Sequence, residues 1–83
     1  MHAPNQPVTL SPEQVSELSV RLSDLRHNVN NYLSLILAAA DLIRFRPEQA
    51  DRFVNSLDDP PQKITKEISD FSEFMEKVLH PTV

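Results

Sequence analysis

Cysteine, glycine and tryptophan are all absent from the 83 residues of this chain. Without cysteine, neither a disulfide nor a cysteine-ligated zinc site can stabilise the fold. Glycine-rich loops allow backbone amides to surround the phosphates of a nucleotide, so the lack of glycine argues against a conventional ATP pocket. We therefore expect no kinase activity from this chain alone, no cofactor and no metal site.

Basic and long apolar segments are also scarce. Eight Lys and Arg residues face twelve Asp and Glu residues, giving a net charge of −4. This balance disfavours a nucleic-acid partner and offers no polybasic patch for acidic lipids. No run of about 18 apolar residues could span a membrane, and the first residues lack the pattern of a signal peptide. A soluble, cytoplasmic protein is expected.

The first predicted helix begins with a strong local signal. Ser11 can cap it, Pro12 suits its first turn, and Gln14 completes a capping box. Apolar residues then recur in steps of three and four, which is typical of a helix that packs along one stripe. We predict a leader over residues 1–10 and a helix over about 12–45. Its apolar stripe comprises Val15, Leu18, Leu22, Leu25, Val29, Tyr32, Ile36, Ala39 and Ile43.

The second predicted helix begins at Pro47, because proline disfavours helical geometry at the residue before it. It should extend over about 47–79, with a kink near Pro60-Pro61 and a tail at 80–83. Its stripe comprises Ala50, Val54, Leu57, Pro61, Ile64, Ile68, Phe71, Met75 and Val78. The two arms would form an antiparallel hairpin over 11–79, so the fold class is all-α. A turn at 58–61 is the alternative, but only a turn at 44–47 gives arms of matching length.

Apolar residues surround most of the first helix between Tyr32 and Ile43, and one partner arm can cover only one stripe. A chain of this size buries only about 60–65% of its unfolded surface, so association is a natural source of stability. We expect two hairpins to form a dimeric four-helix bundle. Docking onto a neighbouring domain is the alternative. The expected dimer core comprises Tyr32, Leu33, Ile36, Ala39 and Ile43.

The heptad spacing places His27 on the outer side of the first helix, opposite the apolar stripe. Ser23 and Asp24 lie one turn before it, and Asn30 and Asn31 one turn after it. An exposed neutral imidazole is a competent nucleophile near neutral pH. By itself such a histidine is usually only solvated, so its context matters.

That context is the string from Leu25 to Ile36, LRHNVNNYLSLI. It resembles the phosphoacceptor box of the dimerisation and histidine-phosphotransfer domain of sensor histidine kinases, most closely the version in sporulation-type phosphotransferases. The resemblance implies a dimeric four-helix bundle in which His27 is phosphorylated. It also implies that Asn31 orients water for dephosphorylation, and that the partner is a response-regulator receiver or a separate kinase domain.

Two residues depart from the pattern of that family. Asn28 follows the histidine where the family has Asp or Glu, and an amide cannot accept a proton as that acid does. This change affects transfer from a kinase domain more than exchange with a receiver. Tyr32 replaces the proline that bends the first helix in many of these kinases. The chain could be a fragment, a stand-alone phosphotransfer module, or a descendant that kept only the bundle.

A turn centred near residue 46 would place His27 level with Thr65. Arg26, Lys63 and Lys66 would then bring positive charge near a phosphorylated His27. The simpler interpretation is that these side chains are ordinary solvated charges.

Two functions follow from the sequence: a histidine phosphotransfer module of two-component signalling, with His27, Asn31 and Asn28 at its site, or an inert dimeric scaffold that binds a partner.

Overall fold

The computed structural model describes residues 6–79, so the predicted tail at 80–83 and the first half of the predicted leader lie outside the described part. Residues 7–10 have neither helix nor strand. Helix α1 spans Pro12–Phe45, a 3₁₀ turn spans Pro47–Gln49, helix α2 spans Ala50–Asn55 and helix α3 spans Asp59–Leu79. Residues 6–79 contain no strand. The predicted all-α hairpin is confirmed.

Both ends of α1 follow from local chemistry. The backbone N–H of Gln14 donates to Ser11 Oγ at 3.1 Å, and the Ser11 N–H donates to Gln14 Oε1 at 2.8 Å, so both halves of the capping box form. At the other end, the N–H of Arg46 donates to the carbonyl of Leu42 at 2.8 Å. Arg46 then leaves helical geometry, with φ −134° and ψ 66°. Pro47 requires this change, because its ring disfavours a helical residue before it.

The second arm is divided into two helices by a break at residues 56–58. The Leu57 N–H donates to the Val54 carbonyl at 3.0 Å, and Ser56 Oγ donates to the Phe53 carbonyl at 2.6 Å, which closes the end of α2. Pro60 and Pro61 lie in the first turn of α3, where a missing N–H costs no helical hydrogen bond. The prolines therefore begin the new helix, and the predicted kink lies immediately before them.

The second arm packs along α1 through a stripe that is rotated from the predicted one but overlaps it. The residues of the predicted stripe that are half-buried are Ala50, Leu57, Ile64, Phe71, Met75 and Val78, and those that are exposed are Val54, Pro61 and Ile68. Val54 and Ile68 are 49% and 50% exposed. Phe53 and Glu67 are half-buried and Pro60 is buried, so these three residues point inward instead. The register is also shifted, because Asn28 bonds to Glu67 and Arg21 lies over Phe74. His27 is thus level with about Ile68, roughly one helical turn from the predicted Thr65.

The hairpin is long and has a thin core. Its extents are 57 × 20 × 16 Å, and within residues 6–79 only Ala39 and Pro60 are buried. Four of the five residues expected in a dimer core, Tyr32, Ile36, Ala39 and Ile43, are buried or half-buried within the single hairpin. The fifth, Leu33, is 45% exposed. The second arm therefore already covers most of that set.

Candidate functional site

His27 lies in the middle of α1 with its side chain exposed, on the side predicted from the heptad spacing. Its Nε2 atom is 3.3 Å from Nδ2 of Asn31, one helical turn further along. In the tautomer that carries its proton on Nδ1, Nε2 accepts a hydrogen bond from the Asn31 amide. The ring is then held in one orientation, and the Asn31 amide occupies the lone pair of Nε2 until that hydrogen bond breaks.

Asn28 points towards the other arm and not towards His27. Its Nδ2 atom donates to Glu67 Oε2 on α3 at 3.3 Å, and both residues are half-buried. Consecutive helical residues are rotated by about 100°, which explains why Asn28 lies towards the second arm while His27 stays outside. The two predicted site amides therefore have different roles: Asn31 contacts the imidazole, and Asn28 joins the two helices at the same level.

The three cations predicted near His27 have other arrangements. Lys63 Nζ pairs with Asp59 Oδ2 at 3.3 Å, and Lys66 Nζ pairs with Asp70 Oδ2 at 2.8 Å. The hydrogen bond from Lys66 to Asp70, reinforced by the attraction between their charges, raises the pKa of Lys66 above 10.5. Arg26 is exposed and forms no ion pair within residues 6–79. Both lysines are engaged by carboxylates of their own helix.

A polar groove lies between α1 and α3 next to the candidate site. Arg21, Asp24 and Asn28 line it from α1, and Glu67 and Asp70 line it from α3. Three of these groups are carboxylates. The one guanidinium, of Arg21, already bonds to Glu17 at 3.2 Å and stacks 4.1 Å from the centre of the Phe74 ring. Asp24 lies within a turn of His27, so the groove and the histidine form one continuous polar surface.

Glu67 is the site residue that sequence reasoning missed. That Glu67 lies between the two arms can be recognised only when the side of α3 that faces α1 is known. This side carries Pro60, Ile64, Glu67 and Phe71. A glutamate at an inward position needs a partner, because an unpaired polar group is costly to bury. Asn28 is the matching half-buried amide on α1. A polar residue within the inward stripe of each helix was therefore the sequence feature that indicated this contact between the arms.

Within residues 6–79, no group of three His, Cys, Asp or Glu side chains is arranged to hold a metal ion. None of the helices in that same range is both long and apolar enough to cross a membrane. The chain matches no protein-family model, and no curated protein or solved structure matches it.

Proposed function

We infer that this chain is a histidine phosphotransfer module that exchanges a phosphoryl group between His27 and an aspartate of a response-regulator receiver domain. The observation that carries the proposal is the exposed His27 ring, whose Nε2 is 3.3 Å from the Asn31 amide. These two residues belong to the same string that resembles the phosphoacceptor box. The proposed partner is a receiver, or a separate kinase domain that loads the histidine.

In the transfer step, the hydrogen bond from the Asn31 amide breaks and the freed Nε2 lone pair attacks the phosphorus of the receiver's aspartyl phosphate. The nitrogen–phosphorus bond forms as the bond to the aspartate oxygen breaks, and the carboxylate leaves with the electron pair. The proton stays on Nδ1, or passes from it to solvent. Orienting the ring before the encounter removes part of the entropy cost of the reaction. Once Nε2 is phosphorylated, the Asn31 amide can donate to a phosphoryl oxygen instead.

The receiver would approach over the side of α1 that carries His27, Asn31 and Asp24. Because the groove beside them is lined by Asp24, Glu67 and Asp70, it favours basic side chains on the receiver. Arg21 and Lys66 reduce this negative charge through pairs with Glu17 and Asp70. The contact should therefore depend on salt, since exposed charges are screened over about 8 Å at physiological ionic strength.

The proposal is tested by incubating the chain with receiver domains that carry radiolabelled phosphate, and following the label over time. We expect the chain to acquire an acid-labile, base-stable label, and His27→Ala to acquire none. Asn31→Ala should slow the transfer by about ten- to a hundredfold, because the ring loses its orientation. His80→Ala is the matched control and should be labelled at the unchanged rate. Equal labelling of His27→Ala would contradict the proposal.

The second candidate function is an inert helical scaffold that binds a partner without chemistry. The observation that favours it is the commitment of Asn28 to Glu67, since no carboxylate within residues 6–79 is seen to bond with His27. It predicts that His27→Ala leaves partner capture unchanged, whereas the transfer module predicts loss of signalling with capture intact. Because both candidates predict intact capture in His27→Ala, labelling of the wild-type chain separates them: the transfer module acquires the label and the scaffold acquires none.

A further inference from the structure

Four exposed apolar side chains lie in a row along one side of α1. Val15, Leu22, Leu33 and Leu37 are 50%, 46%, 45% and 65% exposed. At 100° per residue they fall within an arc of about 60° around the helix. From Val15 to Leu37 the helix rises by about 33 Å, at about 1.5 Å per residue. We call these four residues the apolar row.

A groove between α1 and α3 borders this row. Leu22 lines it from α1 and Met75 lines it from α3. Ile68, which is 50% exposed, precedes Met75 by about two turns and therefore lies on the same side of α3. The residues one turn before and one turn after Ile68, Thr65 and Ser72, are uncharged. Around Ile68, α3 thus supplies apolar and neutral groups to this side of the hairpin.

The charges that accompany the row on α1 are positive. Arg26 and Arg44 lie within about 10° of its centre, and both are exposed. Neither guanidinium is ion-paired within residues 6–79. The nearest carboxylate of α1, that of Asp41, is about 70° from the centre of the row, and the carboxylates of Glu13, Glu17 and Asp24 are about 150° or more away. This side of α1 is therefore both apolar and basic.

We propose that the apolar row and its groove bind an acidic amphipathic helix of another protein. The apolar side of that helix would lie against the row, which is the usual way in which a helix docks into an apolar groove. Its carboxylates would pair with Arg26 and Arg44. A partner helix of about 22 residues would match the length of the row. The interface would thus combine apolar burial with opposite charges, and the charges would select the partner.

Charge also distinguishes a partner helix from a second copy of this chain. A two-fold interface places one surface against the same surface of its copy. It would therefore offer Arg26 and Arg44 no carboxylate, and burying a charge without a partner is costly. An acidic lipid surface would offer negative charge, but a groove between two helices fits a cylinder better than a flat bilayer. An acidic helix supplies both the apolar contact and the missing carboxylates.

The proposed site is separate from His27. The histidine is rotated around α1 by about 110° from the centre of the row. The groove lined by Asp24 and Glu67 is a different groove from the one lined by Leu22 and Met75. The proposal therefore goes beyond phosphotransfer and holds even if His27 carries no chemistry.

The test measures binding of the full chain to two fluorescent synthetic peptides by anisotropy. Both peptides are about 22 residues long and carry leucine at heptad positions a and d. One carries glutamate at positions e and g, and the other carries lysine there. We expect the glutamate peptide to bind at least about tenfold more tightly. This preference would be specific to the site, because the net charge of −4 attracts the lysine peptide at long range.

A charge reversal at Arg26 tests which surface is responsible. Arg26→Glu should weaken binding of the glutamate peptide by about tenfold or more and strengthen binding of the lysine peptide, because like charges would then face each other. Arg52→Glu is the matched control. Arg52 is exposed and precedes the inward-facing Phe53 by one residue, whereas Ile68 follows the inward-facing Glu67 by one, so Arg52 lies on the other side of its arm. Its variant should keep the preference for the glutamate peptide.

A second measurement does not depend on charge reversal. Because the chain has no cysteine, Leu37→Cys and Leu35→Cys each introduce a single reporter thiol. Leu35 is 57% exposed and lies about 160° around α1 from Leu37. The proposal predicts that the glutamate peptide slows the reaction of a maleimide with the thiol at position 37 and not with the thiol at position 35.

Several outcomes would overturn the proposal. The first is equal or tighter binding of the lysine peptide to the wild-type chain, and the second is an equal effect of Arg26→Glu and Arg52→Glu. A third is protection of the thiol at position 37 by rising protein concentration alone, with no effect of the peptide, because a second copy would then occupy the row. The last is binding to phosphatidylglycerol vesicles that the glutamate peptide does not displace, because the surface would then be one for lipid.

Discussion

The hydrogen bond between Asn28 and Glu67 gives the sharpest prediction about stability. Hydrogen bonds to a charged group contribute about 1.5–3 kcal/mol net. Here the two atoms are 3.3 Å apart and both residues are only half-buried. Charge-assisted bonds at full strength are about 2.7–2.9 Å long, so this one should contribute about 1 kcal/mol. Losing this hydrogen bond should lower the melting temperature of a domain of this size by about 5 °C.

A double-mutant cycle with Asn28→Ala, Glu67→Gln and their combination measures this contribution. Urea unfolding at matched protein concentration should give a coupling energy of about 0.5–1 kcal/mol. Asn30→Ala is the control, since Asn30 is exposed on the same turn and reports the gain in helix propensity, about 0.5 kcal/mol, from replacing asparagine with alanine. A coupling energy below about 0.3 kcal/mol would mean that the two side chains do not interact, and would refute the register assigned to the arms.

Three further predictions concern the cap, a surface pair and the histidine. Ser11→Ala should lower the unfolding free energy by about 1 kcal/mol, because it removes the bond from Gln14 N–H; thermal unfolding by circular dichroism tests this. Asp70→Asn should lower the pKa of Lys66 towards 10.5, as an NMR titration of Nζ would show. Because the folded pKa is raised, this pair stabilises the fold below pH 10.5 and the effect is lost as the pH rises through the folded pKa. His27→Ala should change the unfolding free energy by less than about 0.5 kcal/mol in urea unfolding, because the side chain is exposed.

The sequence specified α1 well because its end signals are local. Ser11, Pro12 and Gln14 act within one turn, and Pro47 constrains its immediate neighbour, so the bounds at 12 and 45 depend on no distant contact. The same locality explains why the proximity of His27 and Asn31 was predictable. Residues four apart on a helix are neighbours wherever the helix packs.

The register between the arms was not predictable in the same way. It depends on how the chain from Arg46 to Asp58 is divided between a 3₁₀ turn, a six-residue helix and a break. A 3₁₀ turn rises about 2.0 Å per residue against 1.5 Å in an α-helix, so small differences there move every later residue. The predicted level of Thr65 beside His27 failed for this reason, and the phase that brings Glu67 inward was missed with it.

The expected cluster of positive charge near a phosphorylated His27 stays a prediction, and its two lysines form pairs within their own helix for a local reason. Asp59 precedes Lys63 by four residues and Asp70 follows Lys66 by four, and both pairs form. Such pairs within one helix need less ordering of long side chains than a contact across to another helix. The four-residue spacing of each lysine and its aspartate is visible in the sequence. It favours these pairs within α3 over contacts of the lysines with His27 on α1.

The most direct test of the central claim is to locate the phosphoryl group on the intact chain. After transfer from a phosphorylated receiver, NMR of the nitrogen-15-labelled chain can identify which ring nitrogen of which histidine is bonded to phosphorus. The geometry of the Asn31 amide predicts a bond to Nε2 of His27. Phosphorus on Nδ1, on His2 or His80, or on no histidine at all would contradict this account.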